Sequence, residues 1–259
     1  MTAAKGTACT RRRAAWTVLL LAATLALVAP TAPSAAASTP TPSETNATIT
    51  RLSDLRTSSR WAYPSYEALA RSAPSVKART VGQLRLLTDD GQATLYMALA
   101  SKRLASGETW VRLELPGRPN GRTGWVPRGA LGSLHLVNGR LQIDERNLRA
   151  TLFRDGRAIF SAPVGVGKSS TVTPAGHFYV MEKLITRDSP VYGPYALGTS
   201  AYAPTLSEWP GGGVVGIHGT DEPQLIPGRP SHGCIRLRNA DIIRLWHTIA
   251  LGTPIEIIK

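Results

Sequence analysis

The sequence predicts a mainly β chain: a small barrel, then a β-rich domain with one helix near its C-terminal end. Three observations carry this. Short apolar runs recur between residues 79 and 132 with turn signals between them; from residue 136 apolar and polar residues alternate; and only the stretch after Asn239 holds apolar side chains on one face at helical spacing.

Taken in order, residues 1–37 read as an export signal. Lys5 and Arg11-Arg12-Arg13 precede an apolar run from Ala14 to Ala29, and Ala35-Ala36-Ala37 supplies small residues for cleavage, so the mature chain starts near Ser38. The alternative is an uncleaved anchor, for which the run falls short of the ~20 residues of a spanning helix. Residues 38–78 read as a linker and loosely defined N-terminal segment. They open on the Pro/Thr/Ser-rich tether STPTPSETNAT, with a short helix expected from Ser65 to Arg71.

The barrel is assigned to residues 79–132. Its strand-like runs are QLRLL (83–87), ATLYMAL (93–99), TWVRLEL (109–115) and TGWVP (123–127), separated by turns at Asp90-Gly91, Ser106-Gly107 and Pro119-Asn120-Gly121. Trp110 and Trp125 read as core, with a binding platform as the alternative. The second domain spans residues 136–259. Asp155-Gly156 marks a hairpin between RATLFR and RAIFSAPV, and strands are expected at HFYVMEKL (177–184) and VVGIHG (214–219). Asn239 is expected to cap a helix bearing Ile242, Leu245, Trp246 and Ile249 on one face, ahead of a last strand, PIEII.

Charge narrows the partners. The chain holds 30 Lys and Arg against 17 Asp and Glu, a formal charge of +13. The signal removes only basic residues, so the mature chain stays basic and suits an anionic surface such as cell-wall polymer. Export and the lack of any nucleic-acid-binding signature argue against nucleic acid. No later apolar run is long enough for a membrane span after signal cleavage. Nothing in the pattern specifies an oligomeric state.

Chemistry concentrates in GIHGTDEPQLIPGRPSHGCIRL, Gly216 to Leu237. Cys9 leaves with the signal, so Cys234 has no partner for an internal disulfide, and an unpaired thiol in an oxidising compartment needs a reason. A free thiol is a weak nucleophile until a base takes its proton. His218, at the end of an apolar strand, is a candidate base if the loop to His232-Gly233-Cys234 closes back on it. Pro223, Pro227 and Pro230 lower the entropy cost of that closure. Gly233 can turn its amide toward a bound carbonyl, a candidate oxyanion hole. One alternative is zinc, but three ligands leave such a site incomplete and no Cys-x-x-Cys or His-Glu-x-x-His run accompanies them. The other is a buried cysteine among ordinary surface histidines. The nucleophile reading needs no metal or organic cofactor.

Two resemblances sharpen these expectations. WVRLELPGRPNGRTGWVPRGAL, Trp110 to Leu131, resembles the closing hairpin of bacterial SH3-like domains. His218-Gly219-Thr220 followed by Ser231-His232-Gly233-Cys234-Ile235-Arg236-Leu237 resembles the signature of the L,D-transpeptidase catalytic domain family, the cysteine enzymes of bacterial cell-wall cross-linking. Thr173-Pro174-Ala175-Gly176-His177-Phe178 and the PVGVGK strand before it resemble the same family. Arg236 stands where many members have asparagine.

The resemblance implies Cys234 as nucleophile and His218 as base, oriented by the carbonyl of Gly219. His232 and Gly233 would shape the oxyanion site, and Ser231 and Arg236 would brace the loop. A flap would lie within Tyr192–Gly213, hinged at Gly193, Gly198 and Gly211-Gly212-Gly213, with Tyr192 and Trp209 lining the substrate tunnel. The implied reaction passes the acyl group of a peptidoglycan stem tetrapeptide to an amine of a second stem peptide, releasing D-alanine. Carbapenem-type inhibitors are expected to acylate the cysteine. The expected location is outside the cell, in the wall or envelope. The alternatives are an L,D-carboxypeptidase, with water as acceptor, and a non-catalytic wall-binding scaffold.

Overall fold

A computed structural model describes residues 48–89, 91–206 and 210–259. The expected signal with Cys9, nearly all of the tether, Asp90 of the Asp90-Gly91 turn, and Trp209 lie outside the described residues.

Among the described residues the strands form two sheets. The first holds β1 (Ile49–Arg51), β2 (Ser58–Ala62), β3 (Leu69–Arg71), β4 (Thr80–Gln83), β5 (Tyr96–Arg103), β6 (Thr109–Glu114), β7 (Thr123–Pro127) and β8 (His135–Asn138). Its order is β4-β3-β7-β6-β5-β2-β8, with β1 also pairing β5. Alternation places Val111, Leu113 and Val126 in a core with Tyr96 and Leu115, and both Trp110 and Trp125 are buried, as the core reading of the tryptophans required.

Two expectations change here. The segment read as a linker supplies β1, β2 and β3, and no helix forms over residues 65–71. Ala70 is instead buried in an extended strand whose Arg71 lies opposite Trp125. A helix of seven residues fixes too much backbone for too few hydrogen bonds; pairing with β4 and β7 satisfies the same groups with less loss.

The second sheet holds β9 (Arg140–Asp144), β10 (Arg149–Arg154), β11 (Arg157–Pro163), β12 (Gly165–Gly167), β13 (Gly176–Ile185), β14 (Tyr195–Tyr202), β15 (Val214–His218), β16 (Gly228–Ser231), β17 (Ile235–Arg236) and β18 (Pro254–Ile258), with one helix, α1 (Asn239–Thr248). The order is β11-β10-β9-β18-β13-β14-β15-β17-β12-β16. Asp155 and Gly156 both take positive φ, 49° and 74°, as a tight hairpin between β10 and β11 demands. Ile242 and Leu245 of α1 are fully buried, Ile249 follows them into the core, and Trp246 stacks on Tyr195 at 4.6 Å. Asn239 does not cap the helix: Arg238 holds the cap position, and the Asn239 side chain binds the loop after β15.

The sheets share a boundary. Only Gly139 separates β8 in the first from β9 in the second, so the second sheet begins at Arg140, four residues after the expected domain start at 136. Trp61, Leu95, Met97 and Val137 pack with Tyr179 of β13 in one buried cluster, and the Tyr179 hydroxyl donates to the Leu95 carbonyl at 3.3 Å. Ser200 of β14 donates to the buried Glu114 carboxylate of β6 at 3.1 Å. The turn between β6 and β7 reaches furthest. Arg118 donates to the carbonyls of Ala203 (2.9 Å), Leu206 (2.8 Å) and Gly212 (3.0 Å), while Asn120 exchanges two hydrogen bonds with the Tyr202 backbone.

Candidate active site

Strand pairing brings the separated histidine and cysteine together. β15 and β17 run parallel with Ile217 opposite Ile235 and His218 opposite Arg236. That register sets Gly216 against Cys234, and the Gly216 amide donates to Cys234 Sγ at 3.4 Å. A Cβ built on Gly216 would lie 3.7 Å from His218 Cδ2 and 4.0 Å from Cys234 Sγ, so imidazole and sulfur both border the same point beside that strand. The intervening chain is pinned along its length. Leu237 N–H donates to the His218 carbonyl (2.8 Å), Arg238 to the Ile226 carbonyl (2.6 Å), and Arg236 pairs with Glu222 (2.8 Å).

His218 is buried, and its Nδ1 lies 2.6 Å from the Gly219 carbonyl. A carbonyl only accepts, so Nδ1 carries the hydrogen and Nε2 keeps a free lone pair. Desolvation lowers the imidazole from 6.5 to about 4; the Gly219 carbonyl opposes that fall and the Arg236 charge adds to it. Desolvation raises the Cys234 thiol, against the Gly216 amide and the same Arg236 charge. Burial thus favours a neutral thiol beside a neutral imidazole over an ion pair.

The cysteine loop is held from below. Ser231 donates to the Cys234 carbonyl at 2.6 Å and accepts from the Gly233 amide at 3.1 Å. Gly233 takes a φ of +124°, a backbone state closed to most side chains. Its amide, read from the sequence as an oxyanion donor, is here committed to Ser231. Thr173, fully buried, donates to the Gly233 carbonyl (2.8 Å) and accepts from Gly167 N–H (2.9 Å). His232 is exposed at the pocket rim. Tyr192 sets its ring edge-on to His218, with centroids 4.9 Å apart.

The part of Tyr192–Gly213 open to a flap is narrowed, because Tyr195–Tyr202 is the central strand β14, paired on both sides and mostly buried. Gly198 lies opposite Gly216 in that ladder and cannot act as a hinge. Sequence reasoning also missed two supports. Thr173 stood in the quoted threonine-proline motif without a role, and the Asn239 side-chain oxygen, which accepts from Thr220 N–H at 2.9 Å, was read as a helix cap.

Two cavities open on the pair. A small one of about 50 Å³ is walled by Ala203, Leu206, Gly213 and the Ser231–Cys234 turn. A larger cleft of about 380 Å³ runs between the two sheets to His218 and Cys234. Among the described residues, no group of three or more His, Cys, Asp or Glu side chains is placed to hold a metal ion, and no helix is long and apolar enough to cross a membrane.

Known proteins match this half of the chain. YkuD of Bacillus subtilis (strain 168), a protein named as an L,D-transpeptidase, is 37% identical over 107 residues, which is 41% of this chain and 58% of that protein. YqjB of the same organism, also named as an L,D-transpeptidase, is 29% identical over 123 residues, 44% of this chain and 68% of its own length. The chain thus spans little more than half of the first relative. The catalytic domain of the E. faecium L,D-transpeptidase is similar in structure at 25% identity and a TM-score of 0.36, covering 46% of this chain and 95% of that one. The family model of the YkuD L,D-transpeptidase catalytic domain matches residues 138–257. The histidine strand and the cysteine turn both lie within that matched stretch.

Proposed function

We propose that the chain is an exported peptidoglycan L,D-transpeptidase of the cell envelope, with Cys234 as nucleophile and His218 as its base. The observation that carries this reading is the convergence of the Cys234 sulfur and the His218 ring at Gly216, with Nδ1 tied to the Gly219 carbonyl.

Neutral partners set the order of events. As the sulfur attacks the carbonyl of the third residue of a donor tetrapeptide, its proton passes to His218 Nε2. The C–S bond forms while charge gathers on the carbonyl oxygen. The C–N bond to the terminal D-alanine then breaks, and the Nε2 proton leaves with that amine. In the second half an amine of another stem peptide attacks the thioester. It gives a proton to Nε2, the C–S bond breaks, and sulfur recovers the proton. Donors must face the oxygen as it becomes anionic. For the Gly233 amide to be one, it must turn from Ser231; the φ of +124° there gives the backbone the freedom of a glycine.

The test is product analysis on the mature chain with a disaccharide tetrapeptide. Cross-linked dimer and free D-alanine are expected, both lost in Cys234→Ala, with His218→Ala slower by roughly 10²- to 10⁴-fold. Tripeptide without dimer would assign a carboxypeptidase instead. Wall binding that survives Cys234→Ala, with no product from either form, would assign a non-catalytic scaffold. A carbapenem is expected to add its mass at Cys234.

A further inference from the structure

The cleft between the sheets is not walled by the family domain alone. One side comes from the second sheet, through Glu182, Thr199 and Tyr202; the other comes from the N-terminal sheet, through Thr94, Tyr96 and Arg122. Two polar groups on that N-terminal side lack what they need. Arg122 gives one Nη2 hydrogen bond to the Pro116 carbonyl at 3.2 Å, but its Nε is buried with no hydrogen-bond partner. None of the ion pairs among the described residues includes it. Arg85, in the same wall, is already paired with Asp89 at 2.9 Å. Thr94 is 5% exposed and its hydroxyl is also without a partner.

Buried polar groups are almost always satisfied, and each exception calls for a cause. A guanidinium without a counter-ion and a hydroxyl without a partner, in one wall of one cleft, both gain from an acceptor with several lone pairs. A carboxylate is that acceptor, and it suits the planar guanidinium best.

Resting on the transpeptidase reading above, we propose that this wall is the carboxylate-recognising side of the donor subsite: Arg122, with Thr94 in the same wall, holds an internal carboxylate of the donor stem peptide while the scissile carbonyl lies at Cys234. The two cavities favour the donor over the acceptor. A donor must lodge several residues beside the sulfur, and of the two only the cleft of about 380 Å³ offers that room. An acceptor need present only an amine on a slender chain, for which the cavity of about 50 Å³ suffices. The N-terminal sheet then contributes directly to substrate selection.

The experiment measures D-alanine release by the mature chain from two tetrapeptide donors, one with its internal carboxylate free and one with it amidated. Arg122→Gln is expected to raise KM for the free-acid donor by about ten-fold or more, the scale of a lost hydrogen bond to a charged group, with kcat within about two-fold. The amidated donor should show the same KM in both proteins, and alkylation of Cys234 by iodoacetamide should proceed at the same rate. Thr94→Val supplies a second test if Arg122→Gln does not fold. It removes an unsatisfied hydroxyl, so Tm should rise by about a few degrees while KM for the free-acid donor also rises. Unchanged KM in both variants, equal increases for both donors, or a loss confined to kcat would overturn the proposal. A wild-type chain that releases no D-alanine from either donor overturns the transpeptidase reading and this subsite with it.

Discussion

At Cys234 and His218 one cause acts on two groups in opposite directions. Burial takes water from both charged forms, lifting the thiol and dropping the imidazole to about 4. A preformed thiolate and imidazolium would react with a small alkylating agent at a rate already level by pH 6. The neutral pair predicts a different profile: alkylation of Cys234 by iodoacetamide should be slower at pH 7 than that of a free thiol, and still rising above pH 9. His218 also contributes to stability. Its folded value lies below its unfolded value of 6.5, so the folded chain binds fewer protons between these limits. The contribution is present above pH 6.5 and is lost as the pH falls toward 4, about 3 kcal/mol in all. Urea titrations of His218→Gln should lack this component. Both residues stood out in the sequence, since a lone thiol and a histidine flanked by glycines have few structural uses. Their neutral state was not legible, because burial arises from strands distant in sequence.

Among elements, the turn between β6 and β7 has the clearest energetic role. Arg118 places three hydrogen bonds on carbonyls of Ala203, Leu206 and Gly212, and Ala203 and Leu206 wall the small cavity at Cys234. Hydrogen bonds from a charged donor each contribute roughly 1.5–3 kcal/mol when buried and less when exposed. Arg118→Ala is therefore expected to cost about 2–3 kcal/mol in urea unfolding. Loss of no more than a few tenths would mean that solvent replaces these bonds without penalty. Elements specified by local chemistry were readable: the Asp155-Gly156 hairpin, the helix from Asn239, and the final strand all lie where the pattern put them. Elements specified by distant partners were not. β3 exists because β4 and β7 flank it, and β14 because β13 and β15 do; neither its glycine nor its small residues announce a central strand.

Across the whole molecule, Glu114 marks where the two sheets meet. Desolvation raises its carboxyl to about 7, against the lowering effect of the Ser200 hydrogen bond. A raised acid binds more protons folded than unfolded, so its contribution is full below pH 4.5 and is lost as the pH rises through 7. Glu114→Gln should accordingly stabilise the chain at pH 8, by up to about 3 kcal/mol, and do little at pH 4.5. Between those values Glu114 and His218 pull in opposite senses. Wild-type stability should look nearly flat with pH there, and each single variant should unmask the slope of the other. The change in pattern near residue 136 falls close to the passage from one sheet to the other, but the shared core was not legible, since Tyr179 and Trp61 look like ordinary core residues of separate units.

The single glycine joining β8 to β9, with a common apolar seam beside it, has a consequence for how such chains diversify. The second sheet is no portable cassette. Grafted onto another leader module it would bare Tyr179 and Met181 to water, so any successful exchange must carry compensating side chains across the seam.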